Sequence, residues 1–460
     1  MPHRAQFFRD DLALVKKSAN IMSRIVPPGR RLRPGGFRQA IHGAVTTGVF
    51  ARPQRPVTAR TRKDDSMKTA SRLALALSAL LATSSLAAAQ QCGGDLGAFL
   101  EGVKAEAVAA GASPEAADAA LAGAQIDQKV LARDRSQGVF KQTFLEFSKR
   151  TVSQARLDIG RQKMQQYAEV FGRAEQEYGV PAGVIAAFWA METDFGAVQG
   201  DFNTRNALVT LAHDCRRPEL FRPQLLNLIT MVQHGDLDPA TNTGAWAGEI
   251  GQVQMLPKDI VAFGIDGDGD GHVNVKKSSP DAILTAAKFI EHLGFRRGEP
   301  WIQEVVVPEN LPWEKTGFGS TMTAADWFAL GVKPRDGNTA SGALPASIVL
   351  PQGRKGPAFI TYPNFNIYLE WNQSFIYTTS AAYFATRLMG AEPYQKGNPE
   401  PGLGDEEMKA LQTKLQAMGY DVGKIDGILG SGTRIAIQKE QQRLGMPADG
   451  WATPALLAAL

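Results

Sequence analysis

The sequence predicts a mainly α-helical protein, with one large helical domain and a small three-helix module at its C-terminal end. Two observations carry this. Between about residues 95 and 390, segment after segment places apolar residues at three- and four-residue spacing, the period of a helix against a core. A segment rich in proline and glycine, Glu392–Asp405, then separates off a compact tail of 55 residues whose glycines mark turns between short helices. The length of 460 residues suits two or three domains. The content, 44% apolar and 21% charged, is that of a globular protein and excludes a disordered chain or a membrane bundle.

The front end is read first, because it decides the sign of the charge. Met67-Lys68-Thr69-Ala70-Ser71-Arg72 is a short basic start, Leu73–Leu86 an apolar stretch, and Ala87-Ala88-Ala89 a small-residue cleavage site. Residues 67–89 therefore read as a secretory signal peptide. Residues 1–66 carry 14 Lys/Arg against 4 Asp/Glu with little apolar periodicity, and read as an over-extended, disordered start ahead of the true first residue, Met67. The competing reading is a basic arm before a membrane anchor, but Leu73–Leu86 is short of the roughly 20 residues a span needs. The formal charge is +4; without the +10 of residues 1–66 and the +2 of Lys68 and Arg72 it becomes −8. The mature chain is acidic, so the pI near 8.9 says nothing about nucleic acid. Cys92 and Cys215 both lie in the exported part, where one disulfide is the natural pairing and two free thiols the alternative. Gln90 and Gln91 precede Cys92 in place of a lipoprotein signal, so a soluble periplasmic protein without a lipid anchor is expected.

Along the mature chain, Asp95–Ala124 reads as paired short helices, with Pro114 starting the second. Phe140, Phe144 and Phe147 share a helical face, and Asp158–Tyr178 reads as one long amphipathic helix. The next helix is the one that matters. Val184, Ile185, Phe188, Met191 and Phe195 give it a core face, and Gly179-Val180-Pro181 sets its start. Near its end stands Glu192, one turn from Phe188 and Trp189. A carboxyl seated there is partly desolvated, which raises its pKa and fits it to donate a proton. Phe202–Asp238 reads as helical, Gly244–Pro257 as a glycine-rich segment, and Pro280–Leu293 as an alanine-rich helix. Val305-Val306-Val307 suggests a short strand, and Trp371–Leu388 a last long helix.

The sharpest local motif is Asp266-Gly-Asp268-Gly-Asp270-Gly271-His272-Val-Asn274. Carboxylates at loop positions 1, 3 and 5, glycine at 6, a backbone carbonyl at 7 (His272) and a side-chain oxygen at 9 (Asn274) describe an EF-hand-type calcium loop. Position 12, normally glutamate, is Lys277, so affinity is expected to be weak unless Asp281 folds back to serve. The alternative is a polar loop held by its own hydrogen bonds.

These motifs together resemble the lytic murein transglycosylases of the membrane-bound type B family, which are lysozyme-like. The residues that carry the resemblance are Met191–Gly196, Ala247–Pro257, the Asp266–Asn274 loop, and Tyr362-Pro363-Asn364-Phe365 through Trp371-Asn372-Gln373-Ser374 and Tyr377. The resemblance spans roughly residues 95–390. It implies that Glu192 is the single acid/base and that the substrate's own N-acetyl group stabilises the cationic intermediate. It further implies that Gln254, Asn372 and Tyr377 hold the sugar. Asp194, two residues on, points away from Glu192, as one-acid chemistry requires. Trp246, Trp301 and Trp371 are candidate stacking faces for pyranose rings, with core packing the alternative for each. Two positions depart from the family: Ala245 replaces a serine and Trp371 a tyrosine, so the hydrogen bonds of those positions are not carried over.

The tail resembles the three-helix peptidoglycan-binding module through Leu411-Gln412, Leu415, Gly419-Tyr420, Asp426-Gly427, Thr433, Gln441 and Asp449-Gly450. The domains expected are therefore a catalytic domain over 90–391, a linker over 392–405 and a binding module over 406–460 that tethers the enzyme to its polymer. The expected activity is cleavage of the MurNAc–GlcNAc bond of peptidoglycan to leave 1,6-anhydro ends. The alternatives are hydrolysis by the same acid and a non-catalytic wall-binding scaffold. The expected partner is the glycan strand, met by a monomer with no membrane span. No cofactor is needed for the chemistry, and calcium, where bound, is structural.

Overall fold

The computed structural model describes residues 92–460 apart from 137–141 and 319. The expected start and signal peptide lie outside the described residues, as does Phe140. Among the described residues no helix is long and apolar enough to cross a membrane.

Helix Ala182–Thr193 sits at the centre, and every residue from Gly183 to Thr193 is buried. The sequence suggested a single core face; the helix is instead enclosed all round, as its near-continuous apolar composition demands. Helices Gln154–Gln166, Ala168–Tyr178, Ser279–His292 and Phe375–Leu388 pack around it. No charged face is left, which is why a single glutamate within it stands out.

Two segments expected to be helical throughout are broken, and a third starts late. Asp158–Tyr178 divides at Tyr167, whose non-helical backbone lets its ring lie 5.9 Å from Trp189. Phe202–Asp238 divides into Thr204–His213 and Pro218–Gln233, the second begun by proline at its first position. The helix expected over Trp371–Leu388 starts later, at Phe375, where Ser374 caps it; Trp371 instead ends a separate helix, Phe365–Trp371, and Asn372 is extended between the two. The first of these periodicities read correctly as helix; the breaks arise from backbone angles that tertiary packing imposes.

Cys92 and Cys215 form a disulfide with Cα atoms 5.2 Å apart, pinning the chain before helix Leu96–Ala109 to the turn between two of these helices. Beside it Asp134, buried, is held by Arg216 and Arg217.

The strand expected near Val305 is Ile302–Val306. It lies in a four-stranded antiparallel sheet, in the order Lys333–Pro334, Ile302–Val306, Phe359–Thr361, Ser347–Val349. The other three strands are two or three residues long, too short to show a period of two. Under this sheet lies a second core of Val305, Trp313, Trp327, Ile348 and Ile360.

The tail forms three helices, Asp405–Ala417, Ser431–Arg443 and Pro454–Ala459, around a small core of Leu411, Leu415, Ile437 and Leu456. It does not hang free. Ala448 joins the core beneath the sheet, and Gln438 Nε2 donates to the carbonyls of Trp313 and Thr316 at 2.9 and 3.0 Å. The proline- and glycine-rich segment, expected to be a linker, is laid across the larger domain. Tyr394 packs against Phe144, Phe359 and Tyr383, its hydroxyl 2.7 Å from Ser148 Oγ. The backbone N–H of Gln395 donates to Glu304, and that of Asn398 to the Lys355 carbonyl. An aromatic anchor and backbone hydrogen bonds hold the segment there.

Candidate active site

Glu192 is the penultimate residue of the central helix and is only 6% exposed. Its Oε1 accepts two hydrogen bonds, from Trp371 Nε1 at 2.7 Å and from the Tyr377 hydroxyl at 2.8 Å. The break at Asn372 places both donors, one at the end of each flanking helix. Burial, with the Glu192 carboxylate beside it, holds the Tyr377 phenol well above its usual pKa. It therefore stays protonated and donates at any physiological pH. The indole N–H can only donate. Two fixed donors on one oxygen set the rotamer of the carboxyl.

The end of the helix is anchored from outside. Arg156 reaches the carbonyls of Ala190 and Thr151 and holds Asp194 at 3.0 Å. Burial lowers the Arg156 pKa, and Asp194 opposes that shift. Asp194 is thus committed to an ion pair. Asp194 and Phe195 both take the left-handed conformation, with φ of 53° and 58°, unusual for residues with side chains. The turn so formed lets Thr193 Oγ1 donate to the Gln252 carbonyl. At Gly196, φ is 86°, a left-handed conformation that side chains rarely adopt, and a Cβ would also stand 2.9 Å from Gln252 Oε1, so the backbone requires the motif's closing glycine. Thr193 is the bolt between the Glu192 helix and the glycine-rich segment.

That segment is a tight turn closed by pairing of Ile250 with Met255. Gln254 lies in it with φ of 49°, its Nε2 donating to the carbonyls of Gly251 and Gln199 at 2.8 and 3.2 Å. Asn372 is 1% exposed; its Oδ1 accepts from the Ser374 N–H, while its Nδ2 has no partner among the described residues. A buried donor left without an acceptor is a place for a ligand oxygen.

Two of the three tryptophans fall out differently from the stacking role suggested for them. Trp246 and Trp371 are 4% and 5% exposed, which leaves neither an open ring face. Trp371 stacks on Phe188 at 4.3 Å and offers its N–H to the acid, while Trp301 donates to the Ala382 carbonyl. A tryptophan embedded in an apolar stretch looks the same in sequence whether its face or its edge is used. Arg156 was missed altogether: an arginine on an amphipathic helix carries no mark that its target is a helix end.

In the acidic loop, carboxylate oxygens of Asp266, Asp268 and Asp270 lie within 4.8 Å of one another, a set of hard oxygens suited to calcium. Asp266 accepts from the N–H groups of Gly271, Gly269 and Asp270, and these bonds, led by Gly271, lower its pKa. The His272 ring faces Asp236 at 3.4 Å, consistent with only its carbonyl being available to the loop. Asn274 Oδ1 accepts from the Lys277 N–H. Asp281 does fold back, yet it does not join the three. Fully buried, it accepts from the N–H groups of Gly267 and Asn274 and from Ser278, and so clasps the two ends of the loop. The Val275 carbonyl then accepts from the Gln252 N–H, tying the loop to the turn that holds Gln254.

Comparison with known proteins bears on this arrangement. Residues 96–386 match the Transglycosylase SLT domain family, and residues 404–460 the putative peptidoglycan binding domain family. Membrane-bound lytic murein transglycosylase B of Escherichia coli is 28% identical over 236 residues, which are 50% of this chain and 63% of that protein, so somewhat less than two thirds of the relative is spanned. SltB3 from Pseudomonas aeruginosa, crystallised with NAG-anhNAM-pentapeptide, superposes with a TM-score of 0.73 at 32% identity, covering 80% of this chain and 99% of that one. The Escherichia coli lytic transglycosylase Slt35 in complex with calcium gives 0.55 at 25% identity, over 65% and 96% of the two chains.

Proposed function

The chain belongs to the transglycosylase SLT domain family, joined to a peptidoglycan-binding domain, and from that premise we propose that it is a lytic transglycosylase of peptidoglycan in which Glu192 is the single acid/base. The observation that carries this is a buried carboxyl at the end of the central helix, with one oxygen held by two fixed donors, Trp371 and Tyr377. Glu192 Oε2 gives its proton to the glycosidic oxygen between MurNAc and GlcNAc, and the bond to the anomeric carbon breaks. The neighbouring N-acetyl group of the substrate shares the positive charge. The carboxylate then takes the proton of the muramyl 6-hydroxyl as that oxygen closes on the anomeric carbon. The acid is restored, no water is consumed, and a 1,6-anhydro end remains.

A glycosidase with two carboxylates would need a second acid at about 5 to 9 Å from the first. Asp194, nearest in sequence, is held by Arg156. Asn372 Nδ2 and Gln254 are the groups that bind the sugar. The domain boundaries, the signal peptide, a periplasmic location and a structural calcium at Asp266, Asp268 and Asp270 are parts of the same proposal. The calcium-bound Slt35 supports the last.

Digestion of purified sacculi tests the reading. The parent protein should release products one water lighter than a muramidase does, and Glu192→Gln should lower the rate by about a thousandfold or more. Products ending in reducing sugars would establish hydrolysis instead, and undiminished cleavage by Glu192→Gln would remove Glu192 from the chemistry.

A further inference from the structure

Arg434 of the C-terminal module reaches the first turn of the helix that carries Tyr377. On helix Ser431–Arg443, Arg434 and Gln438 stand one turn apart and both face the larger domain. Arg434 donates to the carbonyl of Pro351 at 2.8 Å, and its guanidinium lies 4.7 Å from the centre of the Phe375 ring and 5.8 Å from that of Trp451. Burial lowers its pKa to about 10, so it remains a cation at neutral pH. Phe375 is the first residue of the helix that carries Tyr377, whose N–H is capped by Ser374 and whose hydroxyl holds Glu192. On another side the Phe375 ring meets Phe318 edge-on at 5.2 Å. The first helical turn, which has few bonds of its own, is thus clamped by a ring held between Phe318 and a cation from the binding module.

We propose that Arg434 is a positioning residue for cleavage: by fixing Phe375 it fixes the turn that aims the Tyr377 hydroxyl at Glu192. The module is then part of the catalytic apparatus and not only an anchor. The inference rests on Glu192 being the acid and extends that reading into the second domain. A half-buried cation over an aromatic face is a favourable contact, and a small shift of a positioning group costs rate more than affinity. A pure tether acts only through local concentration on a polymer. It has no influence on turnover of a small substrate in solution.

The test uses the full chain and a soluble muropeptide tetrasaccharide. Arg434→Met keeps the stem and removes the cation; kcat should fall about tenfold with KM changed by less than about twofold. Sacculus binding by co-sedimentation should be retained. Arg434→Lys should recover most of the rate. Phe375→Leu should lower kcat similarly, and the double variant should lose no more than either single change. Parental kcat in Arg434→Met, or losses in the double variant that multiply, overturns the coupling. If Arg434→Met does not fold, Phe375→Leu decides alone, and parental kcat there overturns it equally. A parent protein that releases no product refutes the activity, whereas an active parent with equally active variants refutes this coupling only.

Discussion

At Glu192 the acid and its restraints come from distant parts of the chain: Trp371 and Tyr377 lie 179 and 185 residues away and meet at one oxygen. Both donors do the same job, holding one rotamer. Tyr377→Phe is therefore expected to lower kcat about tenfold, the worth of one hydrogen bond to a charged group, with KM nearly unchanged. Trp371→Phe should do likewise. Once either donor is gone the carboxyl can already turn, so the double variant should lose less than the product of the two. Steady-state kinetics of the four proteins checks this; fully multiplicative losses would mean that the donors act separately. The residue Glu192 was legible because a lone acid in an apolar run has few structural reasons to be there. The use of the Trp371 edge was not, since composition does not record orientation.

Among the elements, the breaks matter more than the helices. Asn372 lies extended between helices Phe365–Trp371 and Phe375–Leu388, and that connection carries both donors to Glu192 and leaves Asn372 Nδ2 buried and without a partner among the described residues. Ser374, three residues before Tyr377, was a readable cap in hindsight of the same kind as those that begin other helices here. The acidic loop is the other element with a function of its own. With Lys277 at the last ligand position and Asp281 engaged by backbone N–H groups, calcium affinity should fall in about the 10⁻⁴ to 10⁻³ M range. Calcium at about a hundred times Kd should then raise stability by about 2.7 kcal/mol, seen as a higher Tm that a chelator reverses. Asp268→Asn should abolish the response. An unchanged Tm across chelator and added calcium would leave the loop as a self-bonded turn.

Across the whole molecule, the proline- and glycine-rich segment and the tail are built into one body with the larger domain. Trp451 Nε1 donates to the Glu400 carbonyl, and the Arg354 N–H donates to Asp449. The interior also holds several tyrosines. Burial pushes Tyr362 up to about 12, with Asp336 adding to the shift, and takes Tyr368 and Tyr377 well above the ordinary value. From about pH 10 upward the unfolded chain releases these protons while the native state keeps them, so stability is complete below pH 10 and falls as pH rises beyond it. The tyrosinate absorbance of these three should therefore appear together with loss of the helical circular dichroism signal. Ionisation of all eight tyrosines ahead of unfolding would contradict their burial.

Local order was enough for much of this. Helical period marked the large domain, glycine spacing the small one, alternate aspartates the loop, and a glutamate in an apolar helix the acid, because each depends on neighbours within a few residues. Tertiary packing decided where the helices break, that Arg156 anchors the end of the Glu192 helix, that Trp371 works by its edge, and that Arg434 reaches Phe375. Those depend on which distant surfaces meet, and a linear pattern of polar and apolar residues holds no record of the partner.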